Sequence, residues 1–408
     1  MNVHQTSSAS SREVSEQKPG ASRNLLLLLV AMTALGPLSL NILVPAVPGL
    51  VTALATDTGS VQLTISLYLL GLAAAQLVLG PLSDRFGRRP VVLAGLALAL
   101  IASAAAIAAA SIGGLIVARI GQALGASTGL VIGRAIIRDL VDRERTASMI
   151  GLVSTVMVVA PMMAPLIGGI LDTAFGWQSI FILLVVLSAL VLGWAVLVLP
   201  ETRPQRARDA SSFWPDLRAL VGSRSFIGYV LSGALASGAF FTFLGGAPHV
   251  VVTMMGRSSA EYGLWFVANS IGYMLGTFIT SRTVTRFGVD RMIRWGLLVQ
   301  LAACVLAALF VDALFWIGPA VIFLPQIVIS FGNGIVIPNA VAAAVSVRPE
   351  VAGTASGITG FVQMALGAAV AQFAGWVLAG ASTALPMTLP VVAVSLAGVI
   401  AFALLVRR

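Results

Sequence analysis

The sequence predicts an all-α membrane protein of twelve transmembrane helices, arranged as two pseudo-symmetric six-helix bundles. Of the 408 residues, 58% are apolar and only 10% are charged, and the mean hydropathy is +1.00. A soluble chain of this length needs far more charge to cover its surface. Apolar runs long enough to cross a bilayer recur from Leu25 to the end of the chain. Backbone groups in lipid must be satisfied within each segment, so we expect helices.

Each predicted span follows from one apolar run. In chain order the spans cover 25–47, 60–82, 91–110, 113–136, 147–171, 177–198, 225–247, 262–281, 292–311, 314–338, 353–375 and 385–405. Residues 1–24 are polar and rich in serine, which predicts a disordered cytoplasmic tail. Residues 201–224 are the longest polar stretch after that tail and are predicted to be a cytoplasmic linker. The linker separates an N-terminal bundle, 25–200, from a C-terminal bundle, 225–408.

The basic residues predict the orientation of the chain. With the N-terminus in the cytoplasm, every lysine and arginine lies in or beside a cytoplasmic segment except Arg119 and Arg257. Adding or removing one span would scramble this alternation. The net charge of +9 therefore indicates a multi-pass protein of a bacterial-type inner membrane with both termini in the cytoplasm. It does not indicate a nucleic-acid-binding surface.

A short repeat suggests that the two halves are duplicates. Arg85-Phe86-Gly87 follows the second span, and Arg286-Phe287-Gly288 follows the second span of the second half. Paired halves are how many secondary transporters are built, with the substrate site at the interface between them.

The strongest local motif is Gly80-Pro-Leu-Ser-Asp-Arg-Phe-Gly-Arg-Arg-Pro90, at the end of the second span. Glycine allows close helix approach and tight turns, and Asp84 can pair with a nearby arginine. Arg88 and Arg89 also serve as topogenic charges. The pattern resembles motif A of the major facilitator superfamily. The resemblance implies a cytoplasmic gate, in which Asp84 and Arg85 latch the halves against the start of the eleventh helix, built from Gly80, Asp84, Arg85, Gly87, Arg88 and Arg89.

The fourth span contains an arginine in the membrane core. Arg119 and Gln122 are three residues apart and share one helical face. A mid-membrane arginine costs roughly 2.5–3.5 kcal/mol on insertion scales, which favours a functional role over snorkelling to the surface. The segment resembles motif B of the superfamily, and the resemblance implies that Arg119 serves proton coupling.

The fifth span reads Ala160-Pro161-Met-Met-Ala-Pro165-Leu-Ile-Gly168-Gly169. Its prolines free backbone carbonyls and bend the helix, while its glycines allow tight packing. The string is similar to motif C of antiporters, in the form typical of the Bcr/CflA drug-resistance subgroup. The eleventh span has several glycines but no proline, and this asymmetry favours an antiporter over a symporter.

The sequence departs from that subgroup at Asn41, where an aspartate is common. All 15 acidic residues fall in the tail, in loops or at helix ends, so no carboxylate is expected in the membrane core. An amide cannot titrate. Asp57, Asp172 and Asp312 are expected on the outer side, where they could at most admit protons. The proton-coupling residue is therefore left open.

Polar and aromatic residues at helical spacing predict the coupling and substrate-binding cavity. The expected members are Asn41, Arg119, Gln122, Phe240, Phe241, Asn269, Tyr273, Asn333 and Gln363. An apolar and amide lining suits amphipathic organic solutes. As the only ionised side chain placed in the membrane core, Arg119 is expected either to meet an outer-side aspartate that reaches into the cavity or to receive an anionic group of the substrate. The second option is simpler and would favour acidic or zwitterionic compounds.

The sequence thus predicts a secondary active transporter that exports small organic solutes or drugs by alternating access, with proton-coupled antiport. One alternative is a proton-independent facilitator or exchanger of a specific metabolite. A membrane sensor or enzyme is disfavoured, because no catalytic polar cluster, soluble domain or phosphate-binding loop is evident. We expect a monomer in the lipid bilayer, with small-molecule substrates and protons as partners and no cofactor, metal or nucleic acid.

Overall fold

A computed structural model describes residues 23–140, 160–202 and 213–406. The described residues contain helices and turns and no strand, which confirms the all-α prediction. Twelve principal helices follow one another: α1 Arg23–Ala53, α2 Thr58–Phe86, α3 Arg88–Ile107, α4 Ile112–Leu140, α5 Ala160–Phe175, α6 Gln178–Val198, α7 Arg224–Met254, α8 Ser259–Phe287, α9 Val289–Phe310, α10 Ala320–Ser346, α11 Ala352–Leu378 and α12 Leu385–Leu405. A short amphipathic helix, Phe213–Val221, precedes α7.

Ten of these helices are long and apolar enough to cross a membrane. The other two are α5, of which the structure describes only Ala160–Phe175, and α8, whose 29 residues are somewhat more polar. The start of the predicted fifth span, 147–159, and the predicted tail lie outside the described residues. We name the face at which α1 begins and α12 ends the terminal face, and the opposite face the far face.

Two predicted spans differ from the structure because of proline and glycine. The regular part of α1 ends at Asn41, and a 3₁₀ turn, Val44–Ala46, leads into a short helix, Val47–Ala53. Pro45 and Pro48 lack the N–H groups that would continue the helix. The tenth helix was expected from 314 but begins at Ala320, because Gly318 adopts φ +74° and is followed by Pro319.

The two halves repeat one another around the second helix of each. Helices α2 and α8 are both 29 residues long. Asp57 caps α2 by accepting from the Ser60 N–H at 2.9 Å, and Ser258 caps α8 by accepting from the Glu261 N–H at 3.1 Å. Each helix ends at a glycine with positive φ, +100° at Gly87 and +81° at Gly288. The tripeptide repeat is therefore a repeat of backbone geometry.

The halves meet at the far face and separate towards the terminal face. The largest buried apolar cluster contains residues of both halves at the far face, such as Leu43, Tyr68, Phe243 and Tyr262. At the terminal face the apolar clusters belong to one half each. Leu28 and Val92 pack in the N-terminal half, and the cluster around Phe226 packs in the other. The described conformation is consequently closed at the far face.

Gly87 offers a test of the turn between α2 and α3. Its φ of +100° disfavours any side chain, and a Cβ there would lie 2.6 Å from Oε2 of Glu201. We expect Gly87→Ala to destabilise the protein by about 1–2 kcal/mol, seen as a lower midpoint of thermal unfolding in detergent. Gly80→Ala is the control, because nothing lies within 4 Å of a Cβ at Gly80. Equal midpoints for both variants would contradict this account.

Candidate substrate cavity and gates

A cavity of about 300 Å³ lies between the two halves. Its volume falls at the lower end of the range of small-molecule sites. Seven residues that the sequence predicted for the cavity line its wall: Asn41, Phe240, Phe241, Asn269, Tyr273, Asn333 and Gln363. The structure therefore brings together side chains from α1, α7, α8, α10 and α11.

Sequence reasoning missed several polar members of the wall. Ser330 lies three residues before Asn333 on the same face of α10, so helical spacing could have identified it. Gln76 is one of two glutamines in α2, and Ser237 and Ser270 are further examples. Small hydroxyl residues are common in membrane helices, where they often bond to their own backbone, and so give little sequence signal.

The polar groups of the wall are only partly satisfied by the protein. Ser330 Oγ donates to Oδ1 of Asn269 at 2.5 Å, which joins α10 to α8. Asn41 Nδ2 donates to the carbonyl of Pro37 at 2.8 Å. The Oδ1 atoms of Asn41 and Asn333 have no hydrogen-bond partner among the described residues. Acceptors from opposite halves thus lie in the wall of one cavity.

Arg119 does not line the cavity. Its side chain is fully buried. Nη1 donates to the Ser39 carbonyl at 2.9 Å and to Oε1 of Gln122, and Nε donates to the Thr64 carbonyl at 3.3 Å. The guanidinium carbon lies 4.1 Å from the centroid of the Tyr68 ring. The protein thus supplies partners for Nε and Nη1, while Nη2 has none among the described residues. The expected place of Arg119 in the cavity wall is not found, and its contact with an anionic substrate group stays a prediction.

Gln122 is likewise outside the cavity wall. Its Oε1 accepts from Arg119, and its Nε2 donates to Ser103 Oγ on α3 at 2.7 Å. Ser103 in turn donates to the Ala99 carbonyl at 2.7 Å. The pair therefore belongs to a buried network within the N-terminal half. Its role in proton coupling stays a prediction.

The first far-face closure is the crossing of α5 and α8. A Cβ on Gly169 would overlap the Ser259 carbonyl oxygen, and a Cβ on Gly263 would overlap the Pro165 carbonyl oxygen. The neighbouring Gly168 has the same relation to the Ile42 carbonyl of α1. The two glycines of the antiporter-like motif thus face different helices: Gly168 packs against α1, and Gly169 packs against α8. Pro161 lines the cavity.

Hydrogen bonds cross between the halves at the same place. Ser259 Oγ lies 2.7 Å from Oδ2 of Asp172 and 3.0 Å from the Pro45 carbonyl. The Ala260 N–H donates to Thr173 Oγ1 at 3.2 Å. These contacts place the Asp172 carboxyl beside the first turn of α8, where a helix favours negative charge. This closure joins α1, α5 and α8.

The second far-face closure is the antiparallel pair α2 and α11. A Cβ on Gly375 would lie 2.8 Å from Cγ of Gln62, and a Cβ on Gly360 would overlap Oε1 of Gln76. Gln372 Nε2 donates to the Gly59 carbonyl at 2.9 Å. Glutamine side chains of α2 therefore lie in notches that glycine provides on α11.

At the terminal face the ion pairs and hydrogen bonds given by the described latch residues lie within the N-terminal half. Asp84 pairs with Arg88 at 2.5 Å, and Arg88 also pairs with Asp139 of α4 at 3.2 Å. Oε1 of Glu201 accepts from the backbone N–H of Arg88 at 2.8 Å, and its Oε2 accepts from that of Arg89 at 3.2 Å.

The surfaces that would meet in a closed terminal gate are open in this conformation. Arg85 is exposed and lies over the Phe86 ring, with 5.3 Å between the guanidinium carbon and the centroid. Nothing lies within 4 Å of a Cβ at Gly80 of α2, nor at Gly353 or Gly357 of α11. The latch between the halves stays a prediction for another conformation. No group of three or more metal-ligating side chains occurs in the described ranges.

The amino-acid sequence matches one protein family and two drug-resistance proteins over most of its length. The family model described as Major Facilitator Superfamily matches residues 29–372. The chain is 32% identical to multidrug resistance protein D of Escherichia coli K12, over 90% of each chain. It is 33% identical to a chloramphenicol resistance protein of Pseudomonas aeruginosa, over 70% of this chain and 68% of the other.

A solved structure shows the same fold at low sequence identity. A bacterial homolog of the human lysosomal transporter Spinster, in an inward-facing conformation, has a TM-score of 0.73 and 16% identity. The match covers 94% of this chain and 96% of the other.

Asp172 allows a test of the far-face closure. Asp172→Asn keeps the size of the side chain but removes its charge, and a hydrogen bond to a charged group contributes about 1.5 kcal/mol or more. We expect the fraction of molecules open at the far face to rise about tenfold. Spin labels at Ala110 and Thr383, exposed on opposite halves, would report the distance in a Cys304→Ser background.

The matched control is Asp57→Asn. Asp57 is a second far-face carboxyl, but it hydrogen-bonds to Ser60 of its own helix cap and not across the halves. Its distance distribution should equal that of the parent protein. If Asp172→Asn also leaves the distribution unchanged, Asp172 does not stabilise the closure.

Proposed function

The chain belongs to the major facilitator superfamily, and from this premise we propose that it exports small organic solutes, drugs among them, by alternating access across a bacterial inner membrane. The family makes it a multi-pass membrane transporter and not an enzyme. Similarity to two drug-resistance proteins over two thirds or more of the chain confirms the predicted Bcr/CflA-type resemblance. The observation that carries the proposal is one solute-sized cavity between two halves whose described residues share a buried apolar cluster at the far face.

We assign the terminal face to the cytoplasm. The basic residues of the chain concentrate there, at Arg85, Arg88 and Arg89 after α2 and at Arg282 and Arg286 near the end of α8, as the positive-inside rule requires of cytoplasmic segments. The described conformation then faces the cytoplasm. It is the state in which an exporter takes up its substrate.

We propose that the terminal gate closes by filling the open notches of α2 and α11. Gly80 on one helix and Gly353 and Gly357 on the other leave room for close backbone approach. Closure brings Asp84 and Arg85 towards the start of α11, where the carboxylate is favoured near the positive end of a helix. At the same time the far-face notch at Gly375 would empty. The two ends of one helix pair thus open alternately.

Proton antiport is the coupling mode that we propose. Its support is the similarity to drug-resistance carriers and the glycine and proline string of α5. Asp84 and Asp172 are carboxyls at the two gates, so protonation at either face would bias that gate. A proton-independent facilitator or exchanger of a specific metabolite is the second candidate. It is favoured by the absence of a carboxylate from the described cavity wall.

Proton coupling can be measured in everted membrane vesicles. Chloramphenicol and a panel of other drugs and amino acids are added to vesicles that hold a proton gradient, acidic inside. A proton antiporter should release protons when a transported compound is added, because inward movement of the solute is exchanged for outward movement of protons. Transport of a compound without proton release would support the second candidate. Vesicles without the carrier are the control.

Asp84→Asn tests the terminal gate. Because the variant lacks the charge that pairs with Arg88 in this state and docks at α11 in the closed one, we expect at least a tenfold lower efflux rate with near-normal membrane abundance. Asp290→Asn, in the first turn of α9, is the control, because its carboxyl accepts from Tyr229 within the C-terminal half, and it should keep the parent rate. Efflux at the parent rate in Asp84→Asn would remove Asp84 from the gate.

A further inference from the structure

The cavity wall carries no charged side chain in the described structure. Its polar members are amides and hydroxyls: Asn41, Gln76, Ser237, Asn269, Ser270, Tyr273, Ser330, Asn333 and Gln363. Arg119, which the sequence placed in the cavity, is not a lining residue of the described wall: its Nε and Nη1 donate to backbone carbonyls and Gln122, and its Nη2 has no hydrogen-bond partner among the described residues. A charged solute would therefore find no counter-ion among the described residues of the wall.

An uncharged wall discriminates by desolvation. Moving an ion from water into a mostly apolar site without a partner costs several kcal/mol after relaxation. A neutral solute with a hydroxyl or amide loses far less, because neutral hydrogen bonds to the wall replace those to water. The same cavity thus favours a neutral molecule over its cationic or anionic derivative of equal size.

The two sides of the wall differ in polarity. The N-terminal half contributes mainly apolar surface from Pro37, Leu40, Leu72, Leu130, Pro161 and Met162. The C-terminal half contributes most of the hydroxyls and amides, beside the aromatic rings of Phe240, Phe241 and Phe266. Phe240 lies 5.5 Å from Phe241 and 6.1 Å from Phe266 between ring centroids. An aromatic body fits this surface with its polar end towards α8 and α10.

Helices α8 and α10 offer a donor and an acceptor to that polar end. Ser330 donates to Oδ1 of Asn269, which leaves the Asn269 amide N–H groups as donors. Oδ1 of Asn333, one turn further along α10, has no partner among the described residues. Both side chains are about 2% exposed, so bonds to them form away from bulk water.

We propose that the cavity selects uncharged, amphipathic aromatic solutes, and that Asn269 and Asn333 on α8 and α10 determine this selectivity by hydrogen-bonding the polar end of the solute. The proposal rests on the proposed function, since it takes this cavity as the transport site. It replaces the preference for acidic or zwitterionic substrates that Arg119 suggested.

Three probes of one scaffold test the selectivity. Chloramphenicol is neutral, its deacylated amine is a cation at pH 7, and its succinate ester is an anion, while all three share the nitrophenyl ring. Equilibrium binding to the purified full chain in nanodiscs should be at least tenfold tighter for chloramphenicol than for either charged compound. Equal affinities, or no binding of chloramphenicol, would overturn the proposal. Failure of the proposed function would show instead as absent efflux from vesicles despite binding.

Asn333→Asp tests the assigned residues, because it adds one negative charge to the wall. We expect the amine to bind at least tenfold more tightly than to the parent protein, and chloramphenicol to bind more weakly. The matched control is Gln326→Glu, the same type of change two turns earlier on α10. Gln326 is buried outside the cavity, beside Cys304 and Thr388, so it should not improve binding of the amine.

A variant that removes the hydrogen bonds gives an independent readout. Asn269→Leu should weaken the binding of chloramphenicol about tenfold. The affinity for nitrobenzene, which lacks the polar end, should stay within about twofold of the parent value. The midpoint of thermal unfolding identifies variants that fail to fold. If Asn333→Asp and Gln326→Glu change the affinity for the amine equally, or if Asn269→Leu weakens both neutral probes alike, α8 and α10 do not determine the selectivity.

Discussion

The close crossing of α5 and α8 at the far face is the contact on which the rest of the structure depends. Helices in lipid gain little from the hydrophobic effect when they associate, so packing and hydrogen bonds must hold them together. At Gly169 and Gly263 the backbone of each helix contacts the backbone of the other, which no larger residue would allow. This contact lies at the far-face ends of the two helices, and the cavity lies between the halves on its terminal side.

Motion between the halves requires that each half stays intact. In the N-terminal half Arg119 joins α4 to α1 and α2 through the Ser39 and Thr64 carbonyls and the Tyr68 ring. A buried cation is destabilising when it loses its hydrogen-bond partners, so any movement that separated these three helices would raise the free energy of the N-terminal half. In the C-terminal half a Cβ on Gly276 would overlap the Phe331 carbonyl, and one on Gly334 the Tyr273 carbonyl. The tight packing within each half confines movement to the interface.

The sequence predicted the helices well because each span is an apolar run, and it predicted Asn269 and Tyr273 as cavity residues because they are polar and four residues apart in α8. It placed Arg119 in the cavity wall, where the structure does not have it. A buried cation needs partners, and the sequence marked Gln122 as one of them, but two others are the Ser39 and Thr64 carbonyls. Every residue has a carbonyl, so no sequence pattern marks these two. The start of α10 was missed for a related reason, since apolar residues around Phe315 continue through a turn that only Gly318 and Pro319 signal.

The uncharged cavity also bears on how a gradient could drive export. Where substrate and proton compete for one carboxylate, exchange follows from that competition. Here the cavity wall has no such group among the described residues, whereas carboxyls lie at the gates, Asp84 at one face and Asp172 at the other. Under the proposed proton antiport, coupling in this arrangement would act on the equilibrium between conformations and not on occupancy of the site.

Under the proposed proton antiport, the charge of the solute would also determine the net charge that each transport cycle moves across the membrane. A neutral solute exchanged for one proton moves one net charge across the membrane, which contributes about 2.3 kcal/mol per 100 mV in addition to the pH gradient. Export of a monovalent cation against one proton would be electroneutral and would draw on the pH gradient alone. A wall of amides in place of carboxylates therefore does more than select the solute: under proton antiport it makes the membrane potential part of the driving force.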